Sequence, residues 1–352
     1  MCQVHNQIGS LTTIKSHLIY YNVTDYKSLH ELINFQNNYS ATREQIISNH
    51  KVLVEQEKNI LNDKLIQLDY SIKAKKIVVE QELLLELEKL NNRLSNLSSS
   101  QPNIFHVLVS YLKKKHLKLE IRHSKRTFDS KIANSLKSLT TEYNKANDRN
   151  QYIVSRFEDA VIESSFPQLD ILDSKKTIID EINSSIYGAL GEQKVVKELE
   201  KLSDDYILIN DFSCKFQPPI YNRQENDYIM SIQIDHILVS PSGVFLIETK
   251  NWSQDSLNDL SLYSPVQQIK RTNFALYIIL AKLILNKHHW GDRKIPIRNL
   301  VVFINHKPIE EFQYVKILTL TDLLSYVKYF KPCFSSTETQ MIANYLLNFM
   351  AK

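Results

Sequence analysis

The chain has 352 residues, enough for two or three domains with a sizeable core. Hydrophobic residues make up 43% and charged residues 23%, as in ordinary globular proteins, and a net charge of +4 excludes a uniformly basic nucleic-acid-binding protein. The three cysteines, Cys2, Cys214 and Cys333, are widely scattered. This spacing excludes a metal-type cysteine motif and favours a reducing compartment over a disulfide framework.

The sequence shows no sign of membrane targeting. Its first residues, MCQVHNQIGS, lack the basic and apolar regions of a signal peptide. The longest apolar stretch, residues 274–285, is short for a bilayer span and is interrupted by Lys282. We therefore expect a cytoplasmic protein with no membrane partner.

The first half of the chain is predicted to be helical, because no glycine lies between residues 10 and 187 and only Pro102 and Pro167 interrupt this region. Apolar residues there follow a seven-residue repeat with one phase slip, which is typical of a coiled coil. The repeat comprises Leu61, Leu65, Leu68, Ile72 and Val79, and then Leu83, Leu87, Leu90, Leu94 and Leu97.

The run SSSQPN at 98–103 predicts a break, after which a second helix extends from 105 to about 163. Two long helices around a short break suggest an antiparallel hairpin within one chain. Dimerisation through the same apolar seam is the competing interpretation, and the sequence leaves both open.

We predict four parts along the chain. They are an N-terminal helical segment (1–40), a coiled-coil helical hairpin (41–165), a linker helix (166–185) and an α/β domain (186–352).

The segment KKKHLKLEIRHSKR at 113–126 carries seven Lys or Arg residues against the single acid Glu120. Such a basic segment can contact phosphate groups electrostatically. A solvated helix face, with Leu117 and Ile121 turned towards the partner helix, is the alternative. The candidate nucleic-acid-binding residues of this segment are Lys113, Lys114, Lys115 and Arg122.

The second half alternates β-rich runs with turns that contain proline or glycine, which predicts a mixed sheet flanked by helices. Helices are predicted at 186–202, 266–286 and 336–350, with another beginning at Thr321-Asp322. Strands are predicted at 206–210, 230–240, 243–250, 300–305 and 316–320, with a polar loop through Pro218 and Asp227 after the first of them.

The predicted hairpin of 230–240 and 243–250 carries unusual charges among apolar residues. Because strand side chains alternate between faces, Glu248 and Lys250 share a face, and antiparallel pairing can bring Asp235 beside Glu248. Neighbouring carboxylates repel unless a cation lies between them, and oxygen ligands suit Mg²⁺ or Mn²⁺. The pattern predicts a metal site with Lys250 beside the phosphate. A surface hairpin with a weak Glu–Lys contact is the alternative.

Two flanking helices offer further candidates. Glu192 lies one turn before Val195 on the apolar side of its helix, although it is equally well explained as a first-turn charge that favours the helix dipole. Gln268 follows the helix start at Pro265 and would face the same site, unless it faces solvent as most helical glutamines do. Lys270 and Arg271, which come next, could contact phosphates.

The histidines are weaker candidates. His236 follows Asp235 in its strand and is expected to pack on the opposite face of the sheet. His288 and His289 have no third partner nearby in sequence, and we do not predict a zinc site there.

Taken together, these motifs resemble the nuclease-related domain (NERD) family of the PD-(D/E)XK nuclease superfamily. The resemblance covers about residues 186–325 and leaves the helical half unassigned. It depends on the order and spacing of G-x-x-G-E at 188–192, I-D-H at 234–236, G-V-F-L-I-E-T-K-N at 243–251 and P-V-Q-Q at 265–268.

The resemblance implies a restriction-endonuclease-like fold and metal-dependent hydrolysis of phosphodiester bonds. By position, it implies that Asp235, Glu248 and Glu192 bind Mg²⁺ or Mn²⁺, that Lys250 is the catalytic lysine and that Gln268 is a further site residue. We therefore expect a nuclease that acts on DNA rather than RNA. A homodimer or a partner protein held through the coiled coil, and a role in defence against foreign DNA, are further expectations. A non-catalytic nucleic-acid-binding scaffold is the alternative hypothesis.

Overall fold

The computed structural model describes residues 1–97, 104–252, 263–283, 294–306 and 308–350, without the side chains of 104–108 and 263. The predicted helix break at 98–103 and the histidine pair at 288–289 lie outside this range. The helix predicted to reach about 286 ends at Ala281. Contacts divide the chain into two compact units, of which one is Met1–Asn37 with Ser174–Lys352 and the other is Asn38–Asp173. The four-part division predicted from the sequence stays a prediction.

Helices and strands follow one another in a simple order. They are β1 (Gln3–His5), α1 (Gly9–Tyr20), α2 (Leu29–Asn96), α3 (Ile104–Ser155), α4 (Phe157–Glu181), α5 (Asn183–Leu199), β2 (Ile207–Asn222), β3 (Asp227–Ser240), β4 (Gly243–Lys250), α6 (Tyr263–Ala281), β5 (Ile297–Phe303), β6 (Val315–Thr319), α7 (Leu320–Lys328) and α8 (Ser336–Met350). Among the residues described, none of these helices has the length and apolar character needed to cross a bilayer.

The unit Asn38–Asp173 is a helical hairpin, which we call the arm. Ion pairs join α2 to α3 in opposite chain directions, since Lys64 contacts Glu142 at 2.8 Å whereas Glu86, further along α2, contacts Lys131 at 3.6 Å. Apolar residues such as Val54 are buried between the helices. The predicted long helical hairpin is therefore confirmed. Its second helix, however, ends at Ser155 instead of continuing to about 163, and α4 follows from Phe157.

The other unit contains a six-stranded mixed sheet with the order β1-β2-β3-β4-β5-β6. The strands β2, β3 and β4 form an antiparallel meander, while β1 pairs with β2, and β5 with both β4 and β6, in parallel. This architecture confirms the predicted mixed sheet flanked by helices.

Helices cover both faces of the sheet. Residues two apart along a strand point the same way, so alternate residues of each strand contribute to different cores. In β4, Val244 and Leu246 pack in one core with residues of α6 and α8. Phe245 and Ile247 pack on the other face in a second core with residues of α5 and α7. A third core joins α1 to α5 and to the adjoining ends of α2 and α4.

Two sequence predictions about the sheet are wrong. The loop predicted through Pro218 belongs to the long strand β2, which tolerates prolines because its register with β3 shifts between Lys215 and Ile220. Such an irregularity in the ladder removes the need for a backbone donor there. Strand β1, within the segment predicted to be helical, was missed because three residues carry too little periodicity to be recognised.

Candidate active site

The hairpin of β3 and β4 forms the centre of the site. Its register pairs His236 with Ile247, so Asp235 and Glu248 occupy the next opposed positions. The Thr249 backbone N–H donates to Asp235 Oδ2 over 2.7 Å, which fixes this carboxylate beside β4. Lys250 Nζ donates to Glu248 Oε1 over 2.8 Å. The predicted approach of Asp235, Glu248 and Lys250 is thus present in the structure.

Helix α5 brings a third acid to this edge of the sheet. Glu192 is only 5% exposed, as its predicted sheet-facing position requires. Gly191 permits the close approach, because a Cβ there would lie 2.9 Å from Asn251 Cβ, just after β4. One Glu192 oxygen accepts a hydrogen bond from the Ser10 hydroxyl, whereas Oε2 is buried without a hydrogen-bond partner among the described residues.

Two residues at this site were not recognised from the sequence. Ser10 lies 182 positions before Glu192, and no local pattern indicates their contact. Asp211 lies in β2 with φ +48° and accepts a hydrogen bond from Gln233 Nε2 over 2.9 Å. The sequence does indicate Asp211 as a candidate. This acid stands next to Phe212 in an apolar run, just as Asp235 stands in an apolar run of its own.

Helix α6 contributes Gln268 as predicted. Its Nε2 lies 3.4 Å from Glu248 Oε2 and 3.5 Å from the carbonyl oxygen of Gln233. The Gln268 amide therefore bridges β3 and β4 beside Asp235 and Glu248. The catalytic and metal-binding roles of the five predicted residues stay predictions.

Burial governs the protonation of Glu192. It raises the Glu192 pKa from 4.5 to about 7, and the nearby charges of Asp235 and Asp211 act in the same direction, whereas Ser10 opposes them. Since a buried carboxylate is costly, the protonated form is favoured unless a cation compensates the charge.

The hairpin residues respond to the same environment. Burial raises the pKa of Asp235 to about 7, with Glu248 adding to the shift and Lys250 opposing it. Burial likewise raises the pKa of Glu248 against the opposing effect of Lys250. Burial alone would lower the Lys250 pKa, but the surrounding carboxylates outweigh it and raise this pKa. If the carboxyls of Glu192, Asp235 and Glu248 were all ionised, they would carry more negative charge than the Lys250 ammonium group neutralises, so a bound cation would favour their ionised forms.

The basic candidates are distributed over both units. Arg271 contacts Asp227 at 3.3 Å and donates to the Tyr228 carbonyl oxygen, whereas Lys270 is half-buried beside it in α6. The other four basic candidates lie close together in sequence in α3 of the arm. Lys113, Lys115 and Arg122 are exposed and Lys114 is half-buried. Their contribution to nucleic-acid binding stays a prediction.

His236 packs on the opposite face, as predicted. It is fully buried, and its Nδ1 lies 2.8 Å from Asn210 Oδ1. Burial lowers the His236 pKa to about 3, so the imidazole is neutral. It belongs to the core rather than to the group of acids, by which we mean Glu192, Asp211, Asp235 and Glu248.

The acids fit a hard divalent cation in the chemistry of their donors, because carboxylate oxygens are the ligands such ions prefer. The unpaired Oε2 of Glu192 is one available oxygen. Within the described ranges, however, no three His, Cys, Asp or Glu side chains converge closely enough to form a complete metal site.

The family comparison agrees with this arrangement. Residues 187–304 match the family model of the nuclease-related domain, a range that includes all five predicted site residues but neither Ser10 nor the arm. Searches of curated proteins and of solved structures give no match. The chain therefore carries a nuclease-related domain, and the resemblance inferred from its motifs is confirmed.

Proposed function

We propose that this protein is a metal-dependent nuclease that hydrolyses phosphodiester bonds, with DNA as its substrate. The observation that carries this proposal is the convergence of Asp235, Glu248 and Lys250 at one edge of the sheet, with the carboxyl of Glu192 buried beside them. Burial and mutual repulsion raise the pKa values of these acids, so their charged forms cost folding free energy. Such groups are typical of functional sites.

We assign the roles by chemistry. Glu192, Asp235 and Glu248 would hold Mg²⁺ or Mn²⁺, which supplies a water of lowered pKa and neutralises phosphate charge when bound. Lys250, now paired with Glu248, would donate to the phosphate and stabilise the charge that develops there. Gln268, close to the same carboxylate, would orient it from α6.

Incubation of the purified full chain with linear and circular DNA, single-stranded DNA and RNA tests this function. We expect cleavage with Mg²⁺ or Mn²⁺ and none with EDTA. The variant Asp235→Asn is expected to be inactive, while Asp204→Asn, which changes an exposed acid of the same unit away from the site, is expected to retain activity. Equal cleavage by wild type and Asp235→Asn would overturn the assignment.

A non-catalytic nucleic-acid-binding scaffold is the second candidate. The observation that favours it is that no complete metal site is preformed among the described side chains. This candidate predicts tight, salt-dependent binding of DNA without cleavage under any metal condition. The same set of incubations, combined with a binding measurement, separates it from the nuclease.

We also propose that the arm mediates dimerisation or recruits a partner, in a cytoplasmic role such as defence against foreign DNA. Dimerisation or recruitment is supported by the large apolar side chains that α2 exposes. They include Ile60, Ile66 and Tyr70, which are 67%, 70% and 76% exposed. Sedimentation equilibrium of the full chain is expected to give the mass of a dimer. A monomer at all concentrations would contradict dimerisation and leave recruitment of another protein.

A further inference from the structure

A cavity of about 1020 Å³ lies directly beside the group of acids, between β3 and α6. Two residues connect it to the acids, since Gln233 and Gln268 both line the cavity. Gln268 also contacts Glu248, and Gln233 also contacts Asp211. A polynucleotide whose phosphate lies at the acids would therefore have its neighbouring nucleotides at the mouth of this cavity.

Side-chain amides dominate the walls of the cavity. They come from the strands, from α6 and from the segment before β6, and include Gln233, Gln267, Gln268, Asn273, Asn299 and Gln313. An amide presents a donor and an acceptor side by side, as the edge of a nucleobase does.

The charges around the cavity are balanced. Arg271 is paired with Asp227, and Lys270 is accompanied by Glu225. A surface that follows the phosphate backbone of a duplex needs an excess of cations instead. The lining therefore suits bases better than phosphates.

Two tyrosines provide aromatic surface at the same cavity. Tyr277 of α6 is 46% exposed and Tyr314 is 78% exposed. Tyr314 has φ +66°, an unfavourable conformation for a bulky residue. Its carbonyl oxygen accepts a hydrogen bond from Asn299 Nδ2 over 2.9 Å, and Asn299 in turn accepts one from Asn273 over 2.8 Å. Strain of this kind is typical of functional positions.

We propose that the cavity binds unpaired nucleobases of the substrate strand, stacked on Tyr277 and Tyr314 and hydrogen-bonded by the amides. This inference rests on the proposed nuclease function and specifies its substrate as a single-stranded polynucleotide or a frayed end. An intact duplex keeps its bases stacked inside the helix and cannot place them in a concave cavity. Unstacked bases, in contrast, are recognised by aromatic rings and amides.

Binding of labelled single-stranded DNA, single-stranded RNA and blunt duplex DNA is measured by fluorescence anisotropy in EDTA, and cleavage of the same molecules is measured with Mg²⁺. We expect single strands to bind more tightly than duplex at equal salt. Tyr277→Ala and Tyr314→Ala are each expected to weaken single-strand binding by about 5- to 100-fold. Phenylalanine at either position keeps the ring and is expected to retain most of the affinity.

Tyr329→Ala is the matched control, because Tyr329 is 80% exposed in the same unit and does not line the cavity. Duplex cleaved as well as single strands, with both alanine variants unaffected, would overturn the inference and leave the nuclease function intact. Absence of cleavage in the wild type, with single-strand binding still lost in the variants, would overturn the nuclease function and support the base-binding cavity. The DNA and RNA arms identify which polynucleotide the cavity prefers.

Discussion

Replacement of Lys250 by methionine is expected to reduce Mg²⁺-dependent cleavage by about 100-fold or more, since removal of one preorganised group that stabilises transition-state charge has an effect of this size. Methionine preserves most of the side-chain length and its packing. The change removes the ammonium group that lies 2.8 Å from Glu248 Oε1 and opposes the raised pKa of Asp235. Cleavage rates with saturating substrate, together with a circular dichroism spectrum to verify folding, measure this effect.

Lys201→Met is the control for this variant. Lys201 lies in the same unit and contacts Glu198 at 2.6 Å, but its own side chain is 61% exposed and that of Glu198 is 24% exposed. We expect wild-type cleavage from it, because an exposed ion pair contributes little. A Lys250→Met protein that folds and cleaves at the wild-type rate would remove Lys250 from the catalytic machinery.

The stability of the protein is expected to fall as the pH rises from about 4.5 to about 7, and Glu192→Gln is expected to reduce this fall. The pKa of Glu192 is about 7 in the folded protein, whereas that of a glutamate in an unfolded chain is 4.5. Between these values the unfolded chain has released a proton that the folded protein still binds, so unfolding is favoured by rising pH. The shift corresponds to about 3 kcal/mol.

Thermal unfolding of both proteins across this pH range measures the effect. Above pH 7 the glutamine variant is expected to be more stable than the wild type, because it no longer buries a carboxylate, and it is also expected to be inactive. Mg²⁺ is expected to raise the melting temperature of the wild type at high pH more than that of the variant, since a ligand that binds the folded state stabilises it. Parallel pH profiles for wild type and Glu192→Gln would show that Glu192 ionises freely in the folded protein. Glu198→Gln, a surface change in the same helix, serves as the control.

The central part of the site was predictable because it depends on local rules. Strand alternation and a short turn fix which residues of a hairpin face each other, so Asp235 and Glu248 could be paired from the sequence. Helical periodicity placed Glu192 on the buried side of α5 in the same way. The absence of glycine between residues 10 and 187, with only two prolines there, predicted the helical arm for a similarly local reason.

The rest of the site depends on tertiary contacts that no local period encodes. Ser10 reaches Glu192 only because β1 pairs with the sheet and α1 packs against α5. The three residues of β1 are too few to show a periodic pattern in the sequence. Asp211 stands in an apolar run of the sequence, but its contact with Gln233 depends on the pairing of β2 with β3. The cavity beside the acids is formed by residues from four separate segments, so its amide lining could not be recognised in any one of them.

The placement of β1 and α1 makes the unit that contains the nuclease-related domain discontinuous in sequence. The chain leaves this unit near Asn37, forms the arm, and returns near Ser174. The hydroxyl that donates to Glu192 is therefore translated long before its acceptor, and the two meet only after the whole arm has been made. A fragment restricted to residues 187–304 lacks Ser10, β1 and α1, so the Glu192 oxygen that accepts from the Ser10 hydroxyl loses that donor. A fragment that keeps this hydrogen bond must contain both Met1–Asn37 and the part of the chain that follows Ser174.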